Sequence, residues 1–209
     1  FYIITQGYTE NQGSYFGFFQ ELAIEANKRG FDVKLICRKI KESEPYNEVR
    51  NNVEIIRFSA INLPLLNTIF NELSLAYRIK NYFKKSEIKN SDIVIGNGYT
   101  PMGAPKGYFL RAPDQPALVF LKGLETAKNE VSVLSRIVRR LHFSLCYIFD
   151  KIIIKNSGGV IFSSTENKDL FEQYYGVKNK PYFIPNKPVN SRYYLQRRDY
   201  NNKRFGENQ

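Results

Sequence analysis

The segment Lys28-Arg29-Gly30-Phe31-Asp32-Val33-Lys34-Leu35-Ile36-Cys37, read with the residues before it, constrains the fold most. An apolar run, Phe1 to Thr5, leads into a loop punctuated by Gly7 and Gly13. From Ser14 a helical pattern places Tyr15, Phe16, Phe19, Leu22, Ala23 and Ala26 on one stripe, and it stops at Arg29-Gly30. Ser14 suits the start of that helix and Gly30 its end. A second apolar run, Asp32–Cys37, begins at once. Strand, loop, helix and strand at this spacing make a βαβ unit of a doubly wound sheet, whose first loop opens on the ligand crevice.

The alternation continues. Short, nearly continuous apolar runs predict strands at Val53–Phe58, Asp92–Ile95, Ala117–Leu121, Gly159–Phe162 and Pro181–Ile184. Helical periodicity covers Asn67–Lys85, a long stretch from Glu130 to about Lys155, and a segment starting near Thr165. The long helix carries Leu134, Ile137, Val138, Leu141, Leu145, Ile148, Phe149 and Ile152 on one side. The expected fold is therefore α/β, a doubly wound and mainly parallel Rossmann-like sheet with helices on both faces. The polar stretch Lys39–Asn52 reads equally as a loop or a hairpin-like excursion. From Lys187 the pattern fades into a basic tail, so residues 1–186 form the expected domain and 187–209 a linker or tail.

Charge and cysteine content narrow the function classes. Thirty-one Lys and Arg against twenty Asp and Glu, a net charge of +11, favour an anionic partner. Cys37 and Cys146 lie far apart in apolar surroundings and fit a reducing compartment. No apolar run is long enough to span a bilayer. The single histidine, His142, makes a Ser-His-Asp arrangement implausible, and neither a P-loop nor a Cys/His metal spacing is present.

Four places can carry chemistry. Gly13 and Ser14 lie where a helix start points free N–H groups at the crevice. Asn97 and Gly98 follow the strand Asp92–Ile95, where a tight turn opened by Pro101 explains them equally well. Lys122, Gly123 and Glu125 follow the predicted strand Ala117–Leu121; Lys122 suits a phosphate contact or an ion pair with Glu125. Ser164 caps the next helix or touches ligand.

Taken in order, these segments resemble the opening half of family 4 glycosyltransferases. Gln12-Gly13-Ser14 and Lys28-Arg29-Gly30-Phe31-Asp32-Val33 are similar to the family's Gly-rich loop, helix and "RGHEV"-like turn. Ser91-Asp92-Ile93-Val94-Ile95 resembles the "pDvvh" strand, and Leu121-Lys122-Gly123-Leu124-Glu125 is placed against "vHGle". Gly159 to Glu166, then Tyr174-Tyr175-Gly176-Val177 and Phe183-Ile184-Pro185-Asn186, resemble "vi-x-vS" and "yg…viPNG".

The resemblance implies one half of a GT-B fold: an acceptor-side domain, with the donor-binding domain and its E-x₇-E motif absent from this chain. It implies retaining transfer of a sugar from a nucleotide-sugar donor to a glycan or lipid-linked acceptor, inefficient without the second half. It implies no metal and no cofactor, a cytoplasmic location, and ligand contacts at Gly13, Ser14, Asn97, Gly98, Lys122, Gly123, Glu125, Ser164 and Asn186. Lys122 replaces the family histidine, and Gln12-Gly13 replaces a double glycine. Basic helical faces, with Arg78, Lys80, Lys84 and Lys85 on one helix and Arg136, Arg139, Arg140 and Lys151 on another, suit an anionic membrane surface as well as a solvated face. The competing expectations are a nucleotide-sugar epimerase half and a stand-alone carbohydrate- or anion-binding module. Nucleic acid is not an expected partner, because no recognised binding motif is present.

Overall fold

A computed structural model describes residues 1–7, 14–59, 67–89, 91–113, 116–126 and 133–185. The strands are β1 (Tyr2–Gly7), β2 (Lys34–Arg38), β3 (Asn47–Arg50), β4 (Val53–Phe58), β5 (Val94–Asn97), β6 (Phe109–Arg111), β7 (Gly159–Ile161) and β8 (Tyr182–Phe183). The helices are α1 (Ser14–Lys28), α2 (Asn67–Lys85), α3 (Ala117–Thr126), α4 (Val133–Asn156) and α5 (Thr165–Tyr175). A 3-10 turn, Thr100–Gly103, joins β5 to β6. The sheet order is β3-β4-β2-β1-β5-β6-β7-β8, and every pair except β3–β4 is parallel.

Two apolar layers hold the sheet. On one face Ile4, Ile36, Leu110 and Val160 pack with Leu75 and Ile79 of α2, Ile153 of α4 and Phe171 of α5. On the other, Ile3, Leu35, Ile55 and Ile95 pack against Phe19, Ala23 and Ala26 of α1. Both faces of the central strands are covered, which is why they read as continuous apolar runs rather than as alternation.

The Lys39–Asn52 stretch resolves as a hairpin. β3 pairs antiparallel with β4 through Asn51 (φ +49°) and Asn52 (φ +59°), the two successive left-handed residues that a tight hairpin turn requires. Arg57 of β4 is almost fully buried and pairs with Glu48 and Glu44, which fastens this edge to the sheet.

The expected strand Ala117–Leu121 is instead the first half of α3. Its Ala, Leu, Lys and Glu content favours a helix, and a short apolar run does not distinguish a buried strand from a buried helix. The sheet position beside β5 belongs to β6, whose three residues are too few to show a period. The apolar side expected of α4 also divides. Of its members, Val138, Leu145 and Phe149 are partly buried and Ile137, Leu141, Ile148 and Ile152 are exposed, while the buried positions of the helix are Cys146, Asp150, Ile153 and Ile154.

Candidate functional site

The direction of chain winding reverses at β1, with β2 on one side and β5 on the other. In open α/β sheets such a point leaves a crevice outside the carboxyl ends of the strands. Gln6 and Gly7 of β1, Arg38 of β2, Asn97 of β5, Gly98 just after it, and Arg111 of β6 stand at that edge. Gly7 is in register with Arg38, and Asn97 with Arg111. Arg38 and Arg111 both end strands at this edge, Arg38 beside Glu72 of α2 and Arg111 beside Phe18 of α1.

Each is held by local structure. Arg111 is half-buried, and its guanidinium carbon lies 5.7 Å from the ring centre of Phe18 in α1, a cation–π contact that holds the plane of the group. Asn97 is fully buried, and its carbonyl accepts a hydrogen bond from the Thr100 hydroxyl at 2.7 Å. Gly98, at φ +57°, turns the chain out of β5, and a Cβ there would lie 3.5 Å from Gln6 Nε2. The Gln6 amide donates to the buried carboxylate of Glu72 on α2.

Glu72 is the most perturbed acid at this edge. Burial pushes its carboxyl up to about 7, although the positive charge of Arg38 and the Gln6 hydrogen bond act to lower it. A folded-state value above the unfolded one means that the native chain holds the proton more tightly. Stability is then complete below an unfolded value of 4.5 and declines as pH rises through about 7. Glu72→Gln keeps an acceptor for Gln6 and carries no charge. It is expected to unfold in urea with about 2 kcal/mol more stability than wild type at pH 8, and with equal stability near pH 4. Parallel pH profiles for the two proteins would exclude this account.

The residues proposed from the sequence are not all gathered here. Asn97 and Gly98 stand at the crevice edge. Ser164 lies after the carboxyl end of β7, where its hydroxyl caps α5 by accepting from Asn167 N–H at 3.2 Å. The Asn167 amide in turn donates to the Pro113 carbonyl at 3.0 Å, joining α5 to the loop after β6. Lys122 sits within α3, not at a strand end. Its ammonium lies 4.7 Å over the ring of Tyr174 and 3.5 Å from the Tyr174 hydroxyl. Tyr174 is ten residues along α5 from Ser164, about 15 Å by helix rise. The strand that placed Lys122 against the family histidine is therefore absent, and β6, ending in Arg111, fills that part of the sheet.

Gly123 and Glu125 share α3 with Lys122, and Ser14 begins α1. Gly13 and Asn186 lie outside the described residues. His142 lies on α4, 3.7 Å from Cys146, and burial lowers its pKa. Among the described residues no group of three or more His, Cys, Asp or Glu side chains could hold a metal ion.

Gln6, Arg38, Glu72 and Arg111 were not singled out by sequence reading. Arg38 and Gln6 end apolar runs, and that position was a usable signal. Glu72 sits inside an amphipathic helix and Arg111 ends an unpredicted strand, so neither was marked locally.

Comparison with known proteins follows the same outline. The family model described as Glycosyltransferase Family 4 matches residues 18–186. No curated protein matches the chain in sequence. Among solved structures it is similar to sucrose-phosphate synthase from Thermosynechococcus elongatus, with a TM-score of 0.58 and 15% identity over 88% of this chain and 46% of that one. It is also similar to WaaG, a glycosyltransferase involved in lipopolysaccharide biosynthesis, with a TM-score of 0.56 and 15% identity over 88% of this chain and 44% of that one. LpCGTa, solved in complex with UDP, gives a TM-score of 0.55 at 12% identity, over 95% of this chain and 56% of that one. The chain thus spans about half the length of these proteins, and identities this low speak for the fold alone. On the extent of the family match, the chain belongs to glycosyltransferase family 4 and carries one Rossmann-like half of the GT-B fold.

Proposed function

We propose that this chain is the acceptor-side half of a retaining glycosyltransferase. It would act with a donor-binding half to move a sugar from a nucleotide-sugar donor to a glycan or lipid-linked acceptor, in the cytoplasm. The observation that carries the reading is that two arginines, Arg38 of β2 and Arg111 of β6, end strands at the carboxyl edge on either side of the switch point. Sugar transfer from a nucleoside diphosphate leaves negative charge on the departing oxygen. Preorganised cations and a helix start stabilise such charge without a metal. Arg111, in register with Asn97 and stacked on Phe18, is the better-held group for that task. Gln6 and Ser164, both only partly buried, offer neutral polar groups suited to sugar hydroxyls. A structural neighbour solved with UDP supports a nucleotide-linked donor.

One wall of a cleft cannot orient two reactants, so the isolated chain should turn over little or nothing. The test is release of nucleoside diphosphate from a panel of nucleotide sugars. The polypeptide carrying this chain together with a donor-binding half is compared with residues 1–209 alone. The expected result is turnover by the longer polypeptide only, retention of anomeric configuration in the product, and a loss of about a hundredfold in kcat/KM for Arg111→Gln at unchanged melting temperature. Equal turnover by the short chain, or an indifferent Arg111→Gln, would overturn the reading.

A further inference from the structure

The two arginines at the carboxyl edge lie on opposite faces of the sheet. Arg38 is two residues beyond Ile36, a member of the core under α2, and sits opposite Phe58, which packs on that same core. Arg111 directly follows Leu110 of this core, so it belongs to the other face, where it meets Phe18 of α1. Strands β1 and β5 separate β2 from β6. Three strand spacings put the two backbones about 14 Å apart. A diphosphate, two phosphorus atoms joined through one oxygen, does not span that gap. One departing diphosphate therefore engages one of these arginines and leaves the other for a different anion.

Arg38 is in a state that calls for such a partner. It is partly buried, yet among the described residues its guanidinium makes no hydrogen bond and no ion pair. Arg57, the buried arginine of the adjacent β4, is by contrast paired with Glu48 and Glu44. Glu72 is near enough for the Arg38 charge to act on it, but its carboxyl takes the Gln6 amide as its partner. Burial also pushes that carboxyl up to about 7, so near neutral pH it is only partly ionised and offsets only part of the guanidinium charge. A guanidinium held in this way suits an oxyanion, which it grips with two parallel N–H donors.

We infer that Arg38 binds an anionic group on the acceptor, a phosphate or a carboxylate, and so makes the acceptor side of this crevice selective for a charged sugar. The inference rests on the acceptor-side reading above. Arg111, on the α1 face, stays with the departing diphosphate. Gln6, whose amide is held by Glu72, keeps a side-chain carbonyl to accept from a hydroxyl of the same sugar.

The experiment is an NMR titration of nitrogen-15-labelled residues 1–209 with inorganic phosphate, acetate, UDP or glucose at constant ionic strength, following the side-chain N–H signals of Arg38 and Arg111. Phosphate, acetate or both should shift the Arg38 signal along a saturable curve, the tighter of the two naming the group, and glucose should leave it in place. Arg38→Gln should raise the Kd for that anion, read from the Gln6 side-chain amide, at least about tenfold at an unchanged melting temperature. Arg38→Lys should raise it less, and Arg111→Gln should leave it within about twofold. In the polypeptide that also carries the donor-binding half, Arg38→Gln should raise KM for an anionic acceptor about tenfold and leave KM for the donor within about twofold. No shift of Arg38 with either anion, or an equal loss from Arg38→Gln and Arg111→Gln, would overturn the inference. So would UDP shifting both arginines along one curve, since that assigns them to a single anion. If the longer polypeptide transfers no sugar while the Arg38 titration behaves as expected, the transferase reading fails and the anion site stands.

Discussion

Gly103→Ala is expected to destabilise the chain by about 3 kcal/mol or more, read as a fall in the urea midpoint at unchanged slope. Gly103 ends the 3-10 turn that joins β5 to β6, and this turn packs directly on α2. A Cβ at that position would stand 1.9 Å from the Ala76 carbonyl oxygen, 2.8 Å from the Ala76 carbonyl carbon and 2.9 Å from the Lys80 backbone nitrogen. All three are backbone atoms of a helix, so no side chain can rotate to make room. The turn and α2 would have to separate, disturbing Asn97 and Gly98 at the crevice edge. Gly123 supplies the contrast. It lies inside α3 with nothing within 4 Å of an added Cβ, so Gly123→Ala should stabilise by about 0.5–1 kcal/mol through helix propensity alone. Equal effects at the two glycines would show that backbone packing at Gly103 is not the cause.

Asp150→Ala should cost about 3–4 kcal/mol, whereas Asp150→Asn should cost markedly less. The carboxylate of Asp150 is fully buried on α4. It accepts from the Ala117 backbone N–H at 3.0 Å and from the Tyr175 hydroxyl, so it holds the start of α3 and the end of α5 to one point. Burial raises its pKa even though the Tyr175, Ala117 and Tyr99 hydrogen bonds lower it, so burial disfavours the charged form. Alanine would leave a buried N–H and a buried hydroxyl without an acceptor. Asparagine retains a carbonyl oxygen and removes the desolvation cost of the charge. Thermal melts of the two variants separate these contributions. An asparagine variant as unstable as the alanine one would mean that the ionised form is required.

What could be read before folding differs from element to element for definite reasons. β1, α1 and β2 were legible because the apolar stripe of α1 and the Arg29-Gly30 stop are set by neighbours a few residues apart. α2 was legible end to end for the same reason. β6 was not, because three residues carry no period, and its place in the sheet depends on hydrogen bonds to β5 and β7. α3 was misread as a strand because Ala117–Leu121 is apolar in either form, and contact with α4 decides between them. At the candidate site, Asn97 and Gly98 could be placed from the end of an apolar run. Arg111 could not be placed without β6, nor Glu72 without the fold that buries it.

By itself, then, the sequence determined that the chain alternates strand and helix, that its first loop opens at the carboxyl edge of a mainly parallel sheet, and that its surface is basic. These properties rest on short-range periodicity and on composition, which are the same in any conformation. Only the tertiary structure decided which residues meet at that edge, that Lys122 turns to Tyr174 instead, and that the apolar stripe of α4 faces outward. Those outcomes depend on contacts between segments distant in the chain. Burial, and with it the proton affinity of Glu72 and the exposure of Ile137 and Leu141, exists only once those segments have packed.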